Sequence, residues 1–98
     1  MYVRTIQGHI VPGKAERAVE IFRDKIAPVV REQPGFVSTA IYIDTENNQA
    51  QTVSMWESAE AESATGRGSD YLAKVSGMLR SCVVNESFGT WEVGHLEN

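Results

Sequence analysis

The side chains best suited to chemistry lie in one segment, a predicted hairpin between Pro34 and Ser58. Alternate positions of its second strand carry Thr52, Ser54 and Trp56, which are two hydroxyls and an indole N–H able to donate to a ligand oxygen. A buried indole N–H needs a partner, so a cavity beside Trp56 would direct this donor at a bound molecule. The segment therefore predicts a hydrogen-bonding site for a small ligand.

The register of this hairpin determines which of its side chains share a face. A two-residue turn at Asn47-Asn48 would pair Tyr42 with Val53, whereas an odd-length loop pairs Tyr42 with Thr52. The odd-length loop separates an apolar face from a face of small and polar residues, and a slip of one residue would invert both, so it is the favoured register. It predicts a helix-covered face that carries Gly8 of the first strand together with Ser38, Ala40, Tyr42, Thr52, Ser54 and Trp56.

Small side chains beneath the helices have two interpretations. Either the helices pack unusually close to the sheet, or they leave a cavity with Trp56 and Tyr42 as walls. Tyr71, on the predicted second helix, faces either this cavity or the core. The candidate catalytic residues are Trp56 and Thr52, and the candidate substrate-pocket residues are Tyr42, Ser54, Ser38 and Tyr71.

The other reactive residue types form no catalytic or metal-binding pattern. His9 falls on the opposite face of the first strand from Gly8, and His95 lies in the tail, so the histidines predict no metal site. Cys82 is the single cysteine, which excludes an intrachain disulfide and favours a reduced, cytoplasmic setting. We therefore expect no metal and no other cofactor.

Length and charge restrict the class of protein. The chain has 98 residues, 42% of them hydrophobic and 22% charged, which predicts a single domain over residues 1–98 with one modest core. A net charge of −4 without a cluster of Lys and Arg argues against nucleic acid and against an anionic membrane surface. No stretch has the pattern of a signal peptide or a membrane span.

The elements that position the hairpin follow the order β-α-β-β-α-β. The predicted strands are Tyr2–Val11, Phe36–Asp44, Gln49–Glu57 and Val83–Val93. The predicted helices are Lys14–Arg31, with a kink or restart at Pro28, a short helix through Thr65 with Ser58 as its N-cap, and a helix from Asp70 to about Cys82 with Ser69 as its N-cap. Two right-handed crossovers around a hairpin predict an α+β, ferredoxin-like βαββαβ fold with a four-stranded antiparallel sheet and both helical layers on one face.

That arrangement leaves the second face of the sheet uncovered. The residues expected on it include Val3, Val11, Val37, Ile41, Ile43, Val53 and Met55. So much apolar surface predicts that a second copy of the chain covers it, sheet against sheet, in an obligate homodimer.

Several motifs in this order resemble one protein family. They are Pro28-x-x-Arg31-x-x-Pro34-Gly35-Phe36, the hairpin, and Trp56-Glu57-Ser58 with Ala61. Over nearly the whole chain they resemble the antibiotic biosynthesis monooxygenase domain of the dimeric α+β barrel superfamily. The resemblance implies a homodimer that pairs as a dimeric α+β barrel, with one pocket per subunit between sheet and helices.

The resemblance also implies a chemistry. Characterised enzymes of this family oxidise quinols, anthrones and related aromatic polyketides with dioxygen, without metal or flavin, and another branch binds and degrades heme. Trp56 matches the polyketide-oxidising members, whereas Thr52 replaces their Asn and Tyr42 replaces their His. Glu62 replaces an aromatic residue, and Ser76 lies near the place of an Arg.

Heme degradation is disfavoured by the same comparison. That branch needs an Asn, a Trp and an axial His at places held here by Ile6, Thr65 and Ser76. Two hypotheses remain: a cofactor-independent monooxygenase that oxidises a small quinol- or anthrone-like aromatic substrate, and a non-catalytic dimeric module that binds a small ligand or a protein partner.

Overall fold

The computed structural model describes every residue from Met1 to Asn98. Its elements are β1 (Tyr2–Ile10), α1 (Ala15–Ile21), a π-helical segment (Phe22–Ile26), α2 (Ala27–Val30), β2 (Phe36–Asp44), β3 (Gln49–Trp56), α3 (Ala59–Ala64), α4 (Asp70–Met78) and β4 (Val83–Glu92). The order confirms the predicted β-α-β-β-α-β arrangement. None of these helices is long and apolar enough to cross a membrane.

The four strands form one antiparallel sheet in the order β2-β3-β1-β4. This is the predicted ferredoxin-like topology, with the first and third strands in the centre. The helices cover one face of the sheet and form a single core with it. The buried core residues are Ile10, Ala18, Ile21, Phe22, Ile26, Val30, Ala50, Trp56, Val75, Leu79, Cys82 and Val83.

The helical region between β1 and β2 changes its hydrogen bonding near the middle. In the π-helical segment the amide of Ala27 donates to the carbonyl of Phe22, five residues back. Pro28 follows and has no amide hydrogen, so α2 begins anew with Pro28 in its first turn, as predicted. Short π segments are frequent at functional sites, and Phe22 and Ile26 of this one line a cavity.

Two serines begin the helices that follow the hairpin. The Oγ of Ser58 accepts a hydrogen bond from the amide of Ala61 at 3.1 Å, and the Oγ of Ser69 accepts one from the amide of Leu72 at 3.1 Å. Both residues are the N-caps that the sequence predicts. The second of these helices ends at Met78, before the predicted end. Residues 79–82 form turns instead, in which the amides of Leu79 and Cys82 donate to carbonyls three residues back.

The register of β2 against β3 differs from the predicted one. Asp44 pairs with Gln49 across a four-residue loop, which places Tyr42 opposite Gln51. The expected odd-length loop, with Tyr42 opposite Thr52, is therefore wrong.

The cause of this register lies in the loop itself. The carboxylate of Asp44 accepts hydrogen bonds from the amides of Glu46 and Asn47 at 3.1 and 3.2 Å, and from the side-chain amide of Asn47 at 2.9 Å. Asn48 then takes a left-handed conformation with φ of 52°. Asp and Asn favour such turns, and here they fix a loop of even length.

The change of register exchanges the two faces of β2 and leaves those of β3 as predicted. Side chains of residues paired across the strands lie on the same side of the sheet. The face toward the helices carries Thr39, Ile41 and Ile43 from β2 beside Ser54, Thr52 and Ala50 from β3. Ser38, Ala40 and Tyr42 lie on the other side, so their predicted place beneath the helices is wrong.

The side of the sheet away from the helices, hereafter the outer face, is mixed in character. It carries Val3, Thr5, Gln7, His9, Ser38, Ala40, Tyr42, Gln51, Val53, Met55, Val84, Ser87, Gly89 and Trp91. Ile41 and Ile43, which the sequence places there, point to the helices instead. Tyr42 and Trp91 are the most exposed aromatic side chains on this face, at 58% and 61%.

Candidate functional site

A small cavity lies between the inner face of the sheet and the helices. Its lining comes from every layer of the fold: Arg4, Ile6, Phe22, Ile26, Val30, Thr39, Ile41, Ala50, Thr52, Ser54, Tyr71, Leu72, Val75, Ser76, Leu79, Val83 and Glu86. Most of these side chains are hydrophobic, and the volume is about 40 Å³. That volume accommodates only a few water-sized molecules, since a water needs roughly 10–15 Å³ by this measure.

Three of the predicted site residues are brought together in this cavity. Thr52 and Ser54 line it from β3, and Tyr71 lines it from α4. The Oγ of Ser54 is 3.1 Å from the Oγ1 of Thr39 on the neighbouring strand. The hydroxyl of Tyr71 is buried without a partner, and burial raises its pKa although the positive charge of Arg4 opposes this.

Trp56 is fully buried but does not line the cavity. The ring of Phe36 meets it edge-on at 6.1 Å, and the guanidinium of Arg4 lies 5.2 Å from the centre of the indole ring. Its indole N–H has no hydrogen-bond partner. The expectation that Trp56 forms a cavity wall is wrong, because Arg4 covers the indole and lines the cavity itself.

Ser38 and Tyr42 are not part of this cavity. Both lie on the outer face, paired with Met55 and Gln51, because the four-residue loop sets the register of β2. His9 is also exposed on the outer face, as predicted, and His95 is exposed in the tail. No three side chains of His, Cys, Asp or Glu come together as a metal-binding group.

Arg4, which lines the cavity, belongs to a buried ion pair that sequence reasoning missed. The Nη1 of Arg4 donates to the Oε1 of Glu62 at 3.3 Å and to its carbonyl at 3.1 Å, while Nη2 donates to the Oγ1 of Thr65 at 3.2 Å. Desolvation lowers the pKa of Arg4, and the charge of Glu62 opposes it. Arg4 alternates with Ile6 and Gly8 on one face of β1, which was the available signal.

A second ionisable group in the lining was also missed. Glu86, on β4, accepts a hydrogen bond from the Oγ of Ser76 on α4 at 3.3 Å. Burial raises the pKa of its carboxyl, while the hydrogen bond from Ser76 and the charge of Arg80 oppose this. The cavity therefore combines apolar walls, hydroxyl groups, a paired guanidinium and a carboxylate without a cation in contact.

Solved structures with this fold have low sequence identity to the chain. A candidate antibiotic biosynthesis monooxygenase from Deinococcus radiodurans matches with a TM-score of 0.77 at 14% identity, over 100% of this chain and 97% of the other. SnoaB, a cofactor-independent oxygenase from Streptomyces nogalater, matches with a TM-score of 0.73 at 18% identity, over 97% and 95%.

A third structure of the same fold contains a porphyrin. A MhuD variant with two manganese protoporphyrin IX molecules bound per active site matches with a TM-score of 0.79 at 20% identity, over 100% of this chain and 99% of the other. Comparison with curated proteins finds no match. The family model for antibiotic biosynthesis monooxygenase matches residues 1–76, which is most of the sequence. The chain therefore belongs to the antibiotic biosynthesis monooxygenase family.

Proposed function

We propose that this protein is a cofactor-independent monooxygenase that oxidises a small phenolic aromatic molecule, quinol- or anthrone-like, with dioxygen. The observation that carries the proposal is the cavity between sheet and helices, whose apolar lining includes the hydroxyl side chains of Thr52, Ser54 and Tyr71. Apolar walls suit an aromatic ring, and the hydroxyls supply donors for a ligand oxygen.

The chemistry requires little from the protein beyond binding and proton handling. In the oxidation of an anthrone, the CH₂ group becomes a carbonyl, one atom of dioxygen enters the product, and the other leaves as water. All four electrons come from the substrate, which reacts as its electron-rich anion. The protein stabilises the negative oxygen of that anion and excludes bulk water.

Four residues are proposed for this task. The hydroxyl of Tyr71 is the strongest candidate donor, because it is buried in the cavity wall without a partner. Thr52 and Ser54 add hydroxyls on the opposite wall. Trp56 supplies a buried indole N–H without a partner, next to the Arg4 that lines the cavity.

An aromatic substrate needs more room than the closed cavity provides. Ligand pockets for such molecules are about 300–1,000 Å³, against about 40 Å³ here. The short helix α4 is the element that moves in this proposal, because Leu72, Val75 and Ser76 line the cavity from it. Displacement of such a segment on binding is common in enzymes that exclude water.

We further propose that the protein is a homodimer that buries the outer face. Val53 and Met55 lie at the centre of this face, and the exposed Tyr42 and Trp91 lie toward its edges. A second copy placed sheet against sheet would bury these side chains and complete the α+β barrel that the family resemblance implies.

The test of the proposed function is oxygen uptake with a panel of quinols and anthrones. We expect uptake by the wild type, and a loss of at least about tenfold in Tyr71→Phe, Thr52→Val and Trp56→Phe, because each removes a donor to the oxyanion. Tyr42→Phe is the matched control, since it removes the same hydroxyl from the outer face and leaves the rate unchanged.

Two outcomes would contradict the proposal. If the folded wild type binds quinols but consumes no oxygen with any of them, the protein is a small-ligand-binding module. If Tyr42→Phe loses activity and Tyr71→Phe does not, the cavity is not the active site. Titration with heme provides the porphyrin comparison, and we expect no shift of the Soret band of heme because both histidines lie outside the cavity.

A further inference from the structure

Glu86 lies in the wall that separates the cavity from the solvent. A surface groove of about 390 Å³ runs outside this wall, lined among others by Arg67 and Arg80. Leu72, Ser76 and Glu86 line both the groove and the cavity. The carboxylate therefore has access to a ligand on one side and to water on the other.

A β-bulge turns this side chain inward. The pairing of β1 with β4 shifts between Gln7 and His9, so that Asn85 and Glu86 together lie opposite Gly8. Asn85 takes a left-handed conformation with φ of 56°, which bends the strand. Bulges commonly redirect a side chain next to a functional site.

Gly8 allows β4 to approach β1 closely at the bulge, next to Glu86. A Cβ at Gly8 would lie 3.5 Å from the Cγ of Glu86, and only 2.5 Å from a methyl group of Val83. A larger residue at Gly8 would therefore push β4 away and displace the carboxylate. Gly8 on β1 and the bulge at Asn85 on β4 thus together position the carboxylate of Glu86 in the cavity wall.

The surroundings of this carboxylate favour its role as a base. It forms no salt bridge, and its one hydrogen bond is the 3.3 Å contact from Ser76. The charged groups that line the groove with it are Arg80 beyond the end of α4, Arg67, and the carboxylate of Asp70 at the start of α4. Burial outweighs the effect of Arg80 and raises the pKa of Glu86, which increases its affinity for a proton.

The cavity side contributes one further charged group and one titratable group. Arg4 lines the same cavity, but its charge is paired with Glu62 at 3.3 Å. Tyr71 is neutral at physiological pH, as the ordinary pKa of a tyrosine of about 10 ensures, and burial raises its pKa further. Neither of them forms a hydrogen bond to Glu86, so the carboxylate is available to a ligand.

We propose that Glu86 is the proton acceptor of the site and that the ligand is a phenol or quinol bound with its acidic hydroxyl toward this carboxylate. This inference rests on the proposed function and names the base that the reaction requires. The O–H bond of the ligand breaks, its proton binds a carboxylate oxygen of Glu86, and the bonding electron pair stays on the aromatic anion. Dioxygen then takes four electrons from the anion: one oxygen atom bonds to a ring carbon and stays in the product, a quinone from a phenol or a hydroxyquinone from a quinol, and the other leaves as water. The neutral Glu86 gives up its proton through the groove, which balances the one proton that forming this water from the anion requires.

Binding is tested without oxygen, so that turnover plays no part. Isothermal titration calorimetry compares 1,4-naphthohydroquinone with its dimethyl ether, which has the same rings and no acidic proton. We expect the wild type to prefer the hydroquinone by about tenfold, since a hydrogen bond to a charged acceptor is among the stronger ones. Glu86→Gln should remove the preference, and Glu92→Gln, an exposed residue on the same strand, should retain it.

Turnover is then measured by oxygen uptake across pH. We expect kcat of Glu86→Gln to fall by about 100-fold, as is typical when a general base is lost. The wild-type rate should decrease as the pH falls through the raised pKa of Glu86, and this decrease should be absent from the pH profile of the variant.

Unfolding gives an independent measure of the same pKa. The stability that the protonated Glu86 provides is lost as pH rises through its folded-state pKa, so Glu86→Gln should be more stable than wild type at neutral pH and equal in acid.

The outcomes separate the inference from the proposed function. If Glu86→Gln keeps the preference for the hydroquinone, or its kcat stays within twofold of wild type, the inference is overturned. A wild type that binds neither compound overturns it as well. If the preference depends on Glu86 but the wild type consumes no oxygen, the proton acceptor stands and the monooxygenase proposal fails.

Discussion

The two faces of the sheet carry similar mixtures of polar and apolar residues, yet the polar groups differ in burial and in the partners they bind. On the inner face the charge of Arg4 is buried and paired with Glu62. On the outer face the indole N–H of Trp91 donates to the Oγ1 of Thr5 at 3.1 Å while its ring remains exposed. The difference shows that what packs against a face, more than its composition, determines what its polar groups do.

The largest expected effect comes from breaking the buried pair on the inner face. Arg4→Met removes one partner and leaves the carboxylate of Glu62 buried, which should cost about 3–5 kcal/mol of unfolding free energy. Arg17→Met is the matched control, because its pair with Glu20 is half exposed and surface pairs contribute about 0–1 kcal/mol. Urea denaturation measures both. Equal losses in the two variants would mean that Arg4 is solvated, and the contrast between the faces would not hold.

Arg4 also shows where sequence reasoning fails. The order of elements, the caps at Ser58 and Ser69 and the inward side of β3 could all be predicted, because each depends on local propensity or alternation. The partner of Arg4 comes from α3, distant in sequence, and nothing local specifies that Glu62 reaches it. Buried polar pairs of this kind depend on tertiary packing, which a single sequence does not display.

The prediction of the β2 register was wrong for a different reason. Segregation of polar from apolar residues favoured the wrong pairing because both faces are mixed, so the pattern carried little information. The deciding feature was the turn, in which Asp44 accepts two backbone amides. Tyr42 and Ser38 were misplaced together as a result, while Thr52 and Ser54 were unaffected.

An intermediate effect is expected from a charge on the outer face. Val53 lies on the central strand β3, paired with Thr5 and Ala40. In the proposed homodimer, Val53→Asp would bring two carboxylates into an apolar interface and raise the dissociation constant by about 100-fold or more. Light scattering at micromolar concentration should show a dimer for wild type and a monomer for the variant.

Its control is a charge at the rim of the sheet. Glu92→Lys changes an exposed residue at the end of β4 and should leave the dimer intact. A wild-type chain that is monomeric at micromolar concentration would contradict the homodimer, and the mixed composition of the outer face would then reflect contact with solvent. A dimer that tolerates Val53→Asp would place the interface elsewhere on the molecule.

The smallest expected effect tests the corrected register directly. Thr39 and Ser54 are paired across β2 and β3, with their hydroxyl oxygens 3.1 Å apart on the inner face. Thr39→Val and Ser54→Ala should each cost about 1 kcal/mol, because the remaining hydroxyl loses its partner in a half-buried site. The double variant should cost less than the sum of the two, since no unpaired hydroxyl is left, and the coupling energy from urea denaturation should be about 0.5–1 kcal/mol. In the register with Tyr42 opposite Thr52, Ser54 would lie beside Ala40 and the two hydroxyls would be on opposite sides of the sheet. Strictly additive losses would therefore support that register, whereas a measurable coupling energy places Thr39 and Ser54 together beneath the helices.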